Sequence, residues 1–291
     1  MFGGLLLALL LNASVSAGAL NMPTASQPTT SQAALARSAM TFIDSSPSPN
    51  HCVHEAARML KEERFVRLNE RESWGSKIEA GGKYFFTREG EMGTSLVAFA
   101  VGSKFQSGGE GGGFKILGAH TDSPNLRVKP RSKRKGSGCT QINVETYGGG
   151  LWHTWFDRDL SVAGKVILRR EGKVETVLVD LERPLLRIPN LAIHLQTPAE
   201  REAFKVNKED HMQPILALEV EKSLTGGKED GGEKGMGEEV WRKEQEPLLI
   251  SLLAEKLGVG AGEIVDFELS LYDCQKGSLC GATDEFINSA R

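Results

Sequence analysis

Phe114-Lys-Ile-Leu-Gly-Ala-His-Thr-Asp-Ser-Pro-Asn-Leu-Arg-Val-Lys-Pro130 is the stretch on which the reading of this chain turns. Phe114 to Gly118 is a short apolar run behind a Gly-rich stretch, the pattern of a buried strand. His120 and Asp122 stand just past its end. In an open α/β sheet, ligands bind in the crevice beyond the carboxyl ends of the strands. A neutral imidazole takes a metal there, and a nearby carboxylate fixes its tautomer and raises its basicity. His120 is thus a candidate metal ligand and Asp122 its orienting partner. The plain alternative is a polar turn after a strand, and these few residues leave both open.

The flanks place this stretch in alternating structure. Ser31–Ile43 predicts an amphipathic helix ended by Ser46-Pro-Ser-Pro49, and Asn50 is a candidate cap for a second helix with Val53, Ala56, Ala57 and Leu60 on one face. Lys83–Thr87 and Leu96–Val101 have strand length, and Ser107–Gly113 reads as a flexible loop. Helices alternating with buried strands indicate an α/β layer. Further on, Ala163–Leu168 and Val174–Val179 flank Arg170-Glu-Gly-Lys173 as a hairpin. Pro214–Leu224 and Pro247–Leu257 are expected to be helical, the second opened by Pro247 and closed by Gly258. Thr225–Glu239 between them is of low complexity and reads as disordered. Val265, Phe267, Leu269 and Leu271 alternate with polar residues as in a half-buried strand. A β-rich section therefore interrupts an α/β unit.

Bulk properties narrow the function. A length of 291 residues fits one large domain or two ordinary ones. A net charge of −3 argues against nucleic acid as a partner. Arg127–Lys135 holds six basic residues in nine, but without interleaved aromatics it reads as a solvated strand edge or loop. The four cysteines form no C-x-x-C and fit free thiols of a reducing compartment. At the N-terminus, Leu5–Leu11 is too short to span a bilayer as a helix, and no membrane partner is expected. Val15-Ser-Ala17 passes as a signal-peptidase site, so a secretory signal at 1–17 stands beside an N-terminal extension of 1–30 with a Ser/Thr/Pro-rich linker.

Other chemistry is weaker. His54-Glu-Ala-Ala-Arg58 has Arg where a metalloprotease helix needs its second His. No G-x-S-x-G and no phosphate-binding P-loop occurs. Tyr147-Gly-Gly-Gly150 reads as a tight turn against Trp152, Trp155 and Phe156, and Arg158 as an ion-pair partner of Asp157 and Asp159. His153, His194 and His211 are single histidines, by themselves structural.

Four blocks occur in order: HTDSPNLRVKP at 120–130, VETYGGGLWHTWFDRDLSVAG at 144–164, ERPLLRIPNLAIHLQ at 182–196 and GATDEFINSAR at 281–291. With them the chain resembles the M18 metallopeptidase family from about residue 33 to 291. The resemblance implies an α/β metallopeptidase catalytic domain, incomplete here, interrupted by an inserted β-rich dimerisation domain. The expected division is 31–125 catalytic, 126–270 inserted and 271–291 catalytic again. It implies a two-zinc site, with manganese or cobalt as alternatives, that releases Asp or Glu from peptide N-termini. His120 matches a metal ligand, Asp122 the catalytic-site carboxylate that orients it, and His194 a substrate-binding histidine given to a neighbouring subunit. A homo-oligomer through 126–270 follows, in the cytoplasm or a vacuole. In the family the segment matching Phe286–Arg291 continues with Leu-Asp, and the bridging Asp, the general-base Glu and the other ligands lie beyond. The chain alone is therefore expected to lack most of a site, to leave strands after Gly281 unpaired and to aggregate. An inactive dimerisation or peptide-binding partner is the alternative to an enzyme.

Overall fold

A computed structural model describes residues 30–88, 90–106, 113–219 and 236–290, which fall into two compact units. The expectations for 1–17, for the loop at 107–112 and for 225–235 lie outside these residues. No helix among the described residues is long and apolar enough to cross a membrane.

The first unit, up to Ser123 and again from Lys276, is mixed α/β. Helices α1 (Thr30–Asp44) and α2 (Pro49–Glu62) accompany strands β1 (Val66–Arg67), β2 (Lys83–Thr87) and β3 (Leu96–Ala100). β1 runs parallel to β2, and β2 pairs antiparallel with β3. Phe42, Val53, Leu60 and Phe85 form its buried interior. Helix α2 is capped by Ser48, not Asn50, because Pro49 takes the first helical position, where its missing N–H costs nothing. The Asn50 amide is used elsewhere, donating to the Met92 carbonyl at 2.7 Å. After Lys276, Gly277 N donates to Asp44 Oδ1 at 3.0 Å and ties the returning chain to α1. Strands β10 (Ser278–Cys280) and β11 (Phe286–Asn288) then pair with each other, so the segment beyond Gly281 is not left unpaired.

The expected strand at Phe114–Gly118 is not one. Among the described residues the run pairs with no strand, and Phe114 and Ile116 are 94% and 85% exposed. A strand buried on both faces needs hydrogen-bonded neighbours and two apolar covers, and among the described residues neither is present.

The second unit, Pro124–Gln275, is built on a six-stranded antiparallel sheet. Its strands are β4 (Asn125–Gly136), β5 (Cys139–Tyr147), β6 (Leu160–Arg170), β7 (Lys173–Asp180), β8 (Ile215–Leu218) and β9 (Ile264–Asp273), in the order β7-β6-β9-β4-β5-β8. Short α3 (Pro198–Glu202), α4 (Met236–Lys243) and α5 (Pro247–Leu257) complete it. Leu249, Ile250 and Leu253 of α5 join Leu126, Ile142, Leu160 and Leu269 of the sheet in one core. Gly258, at φ 65°, ends α5 in the left-handed conformation that glycine takes without a Cβ clash.

Four expectations change here. Ile215–Leu218 is a strand, not a helix; the open edge of β5 supplies ladder partners that local propensity cannot foresee. The basic run is neither edge nor loop but β4, between β9 and β5. Its charges are met by acids from other segments, with Lys129 Nζ 2.8 Å from Glu209 and Lys135 Nζ 2.6 Å from Glu219. Arg158 turns away from its flanking aspartates and donates to Asp273 Oδ2 at 3.1 Å, while Arg187 takes Asp159 at 3.0 Å. β9 alternates only at its start; from Leu269 to Asp273 it is buried on both faces.

Candidate functional site

His120 and Asp122 lie in the first unit, on the turn that follows the Phe114–Gly118 run. Thr121 holds the turn, its hydroxyl donating to the Thr94 carbonyl at 2.7 Å just before β3. His120 Nδ1 stands 3.1 Å from Asp122 Oδ1. An ionised carboxylate only accepts, so Nδ1 is the donor of this contact, and in the neutral ring that leaves the lone pair on Nε2. The imidazole is 85% exposed, so Nε2 is open to an incoming group.

Beside this pair is an apolar cavity of about 990 Å³, lined among others by Val53, Leu60, Phe99, Leu117 and His120. Cys52 also lines it. Burial pushes the Cys52 thiol up to about 11; the Ser46 hydrogen bond pulls it down, and the charge of Asp122 adds to the rise. Nothing in the spacing of Cys52 and Asp122 signalled their proximity.

Do these residues suit zinc? The donor pair does, since neutral imidazole oriented by a carboxylate is a zinc ligand in its usual setting. The number does not. Zinc takes three or four protein ligands, and among the described residues no group of three His, Cys, Asp or Glu side chains comes together. His120 and Asp122 by themselves supply fewer donors than such an ion takes.

His194 sits in the second unit, on a one-turn 3-10 helix, Ile193–Leu195, and is exposed. The structure brings His120 and Asp122 together and carries His194 on a different unit. Of the other histidines, His211 stacks on Phe204 at 6.2 Å and accepts from Asn207 N at 3.1 Å, a structural role. Glu55 of the His54–Arg58 stretch is bound to Arg58 at 2.6 Å on the surface of α2. Gly148 takes φ 76°, and a Cβ on Gly150 would meet the Trp152 ring at 2.9 Å, so the glycine run is a turn against aromatic packing.

Sequence reasoning missed one group around His194. Asp157 and Arg187 join the start of its segment to the rest of the unit. The only local signal was an Asp-Arg-Asp triplet, whose partners proved to be distant in the chain.

The chain as a whole is similar to known proteins. Residues 42–291 match the family model described as aminopeptidase I zinc metalloprotease (M18). An aspartyl aminopeptidase of Aspergillus oryzae is 41% identical over 265 residues, covering 87% of this chain and 51% of that protein. One of Dictyostelium discoideum is 42% identical over 269 residues, covering 88% and 53%. In the cryo-EM structure of the Ape4 and Nbr1 complex, a chain 40% identical superposes with a TM-score of 0.77 over 90% of this chain and 49% of that one. The structure of the S. cerevisiae mApe1 dodecamer gives 27% identity and a TM-score of 0.65, covering 87% and 51%. The chain spans about half the length of the curated relatives it matches. The match runs through both units, and the chain belongs to the M18 family of aminopeptidase I zinc metalloproteases.

Proposed function

We propose that this chain supplies part of a metalloaminopeptidase that releases Asp or Glu from peptide N-termini. His120 is a metal ligand, for zinc at a two-metal site or for manganese or cobalt in its place. Asp122 holds the imidazole proton on Nδ1 and so keeps Nε2 turned outward as donor. The observation that carries the reading is the 3.1 Å contact between His120 Nδ1 and Asp122 Oδ1 beside an open Nε2. A bound metal supplies Lewis acidity there; the described residues of this chain hold and aim one of its ligands. The names of the relatives support the acidic preference.

His194 serves a second copy of the chain, binding substrate across an interface made by the second unit. A relative solved as a dodecamer supports self-association. Four free cysteines support a reducing compartment such as the cytoplasm.

The test compares the purified chain with the same chain fused to the second half of the Aspergillus oryzae relative, on peptides beginning with Asp or Leu, with zinc present. The fusion is expected to cleave the Asp peptide and spare the Leu peptide; equal cleavage overturns the substrate assignment. The chain alone is expected to cleave neither. Cleavage by the chain alone would overturn the view that it holds one corner of the metal centre. His120→Ala in the fusion is expected to lower bound zinc as well as rate, and unchanged stoichiometry removes His120 from the ligand set.

A further inference from the structure

His194 rides on a segment that closes its own turn but is anchored from outside. Between Asn190 and Thr197 the chain makes a single tight turn. Leu195 N donates to the Ala192 carbonyl at 2.9 Å, and Gln196 Nε2 closes back on the Leu191 carbonyl at 2.7 Å. Leu191, Ile193 and Leu195 are 49%, 59% and 70% exposed, so packing does not fix this segment. Hydrogen bonds at its two ends do. At the far end Thr197 and Glu200 form a reciprocal cap, with Thr197 N donating to Glu200 Oε2 at 2.7 Å.

The near end depends on Asp157. Its carboxylate Oδ1 accepts from Asn190 N at 3.1 Å, and its own N–H donates to the Ile188 carbonyl at 2.9 Å. Arg187 Nε stands 3.8 Å from the same oxygen, and its Nη1 donates to Asp159 Oδ1 at 3.0 Å. Asp157 does this from φ 57°. That is the left-handed region, which Asn and Asp enter more readily than other side chains and glycine enters freely. A residue held in a costly conformation while its carboxylate caps a distant loop marks a point where the fold spends stability on placement.

We propose that Asp157 is a positioning residue for His194. It seats Asn190, and through Asn190 it sets the direction in which the 190–197 segment presents its histidine. This deepens the reading of His194 as a residue offered to a second copy, and rests on it for its purpose, though not for its test.

The test is amide hydrogen exchange on the chain, with Asp157→Asn, Asp157→Gly and Asp157→Ala beside the unaltered protein. Asparagine keeps both the acceptor and the left-handed backbone; glycine keeps the backbone and loses the acceptor; alanine loses both. Amides of 191–197 are expected to exchange about tenfold faster in the Gly and Ala variants, the scale of one lost hydrogen bond. They should stay near the unaltered rate in Asp157→Asn, with the amides of β6 and β9 unchanged throughout. The His194 ring signals in a nitrogen–proton NMR spectrum should shift in the Gly variant and return in the Asn variant. If Asp157→Ala does not fold, Asp157→Gly decides. Unchanged exchange at 191–197 in Asp157→Gly, or exchange in Asp157→Asn as fast as in Asp157→Gly, overturns the proposal. So does faster exchange throughout β6 and β9, which would make Asp157 a support of the whole sheet. Failure of the other reading shows elsewhere: full activity of His194→Ala in the fused enzyme removes the role of His194 and leaves the exchange result standing.

Discussion

Asp122 and Cys52 show how one carboxylate acts on two neighbours in opposite ways. Toward His120 it stands 3.1 Å from Nδ1, an arrangement that raises the basicity of a neutral imidazole. Toward Cys52 its charge adds to burial and holds the thiol protonated, up to about 11. Replacing Asp122 with Ala in the fused enzyme is expected to lower zinc affinity about 10–100-fold, measured by competition with a chelator of known affinity. The thiolate is the form that alkylates. At pH 8, iodoacetamide should therefore modify exposed Cys280 and spare Cys52. Reaction at Cys52 should rise as pH climbs toward 11, because ionisation there occurs late; mass spectrometry of tryptic peptides reads both sites. The His-x-Asp pair was legible in the sequence because both partners lie on one turn. Cys52 was not, because its place beside the same cavity depends on how α2 packs.

At the level of elements, legibility follows the distance between partners. The β6–β7 hairpin was readable around Arg170-Glu-Gly-Lys173, since its two strands pair through a local turn, from Ala163↔Asp180 to Arg170↔Lys173. Strand β8 was not, because Ile-Leu-Ala-Leu suits a helix equally and only the edge of β5 decides. The contact of β6 with β9 sets a tighter limit. A Cβ on Gly164 would lie 2.1 Å from the Glu268 carbonyl oxygen and 3.0 Å from Leu269 Cα. Gly164→Ala is expected to cost about 1–3 kcal/mol, as overpacking does, read as a lower midpoint in urea unfolding of the second unit. Ser132 joins β4 to the start of α5: its hydroxyl donates to Gln245 Oε1 at 2.7 Å and accepts from Glu246 N at 2.9 Å, all buried. Ser132→Ala should cost about 1–3 kcal/mol in the same measurement, because buried partners lose their bonds.

Across the whole molecule the two units differ in how completely they cover their apolar surface. The second closes a core between its sheet and α5. The first keeps an apolar cavity of about 990 Å³ and exposes Phe114 and Ile116. Exposed apolar surface on this scale promotes association. Residues 124–275 expressed alone are expected to melt cooperatively and bind little of the dye ANS. The full chain is expected to bind ANS strongly, and Phe114→Ser with Ile116→Ser should reduce that binding; equal binding by both proteins would place the sticky surface elsewhere. The sequence by itself determined the α/β unit with a β-rich insertion, the helix signals at Pro49 and Pro247, and the pairing of His120 with Asp122. All of these depend on periodicity, capping or neighbours within a turn. Only the tertiary structure decided that 114–118 stands exposed, that the basic run is an inner strand paired with distant acids, and that Asp157 accepts a hydrogen bond from Asn190. Those outcomes depend on partners far along the chain, and local pattern carries no record of which distant group will arrive.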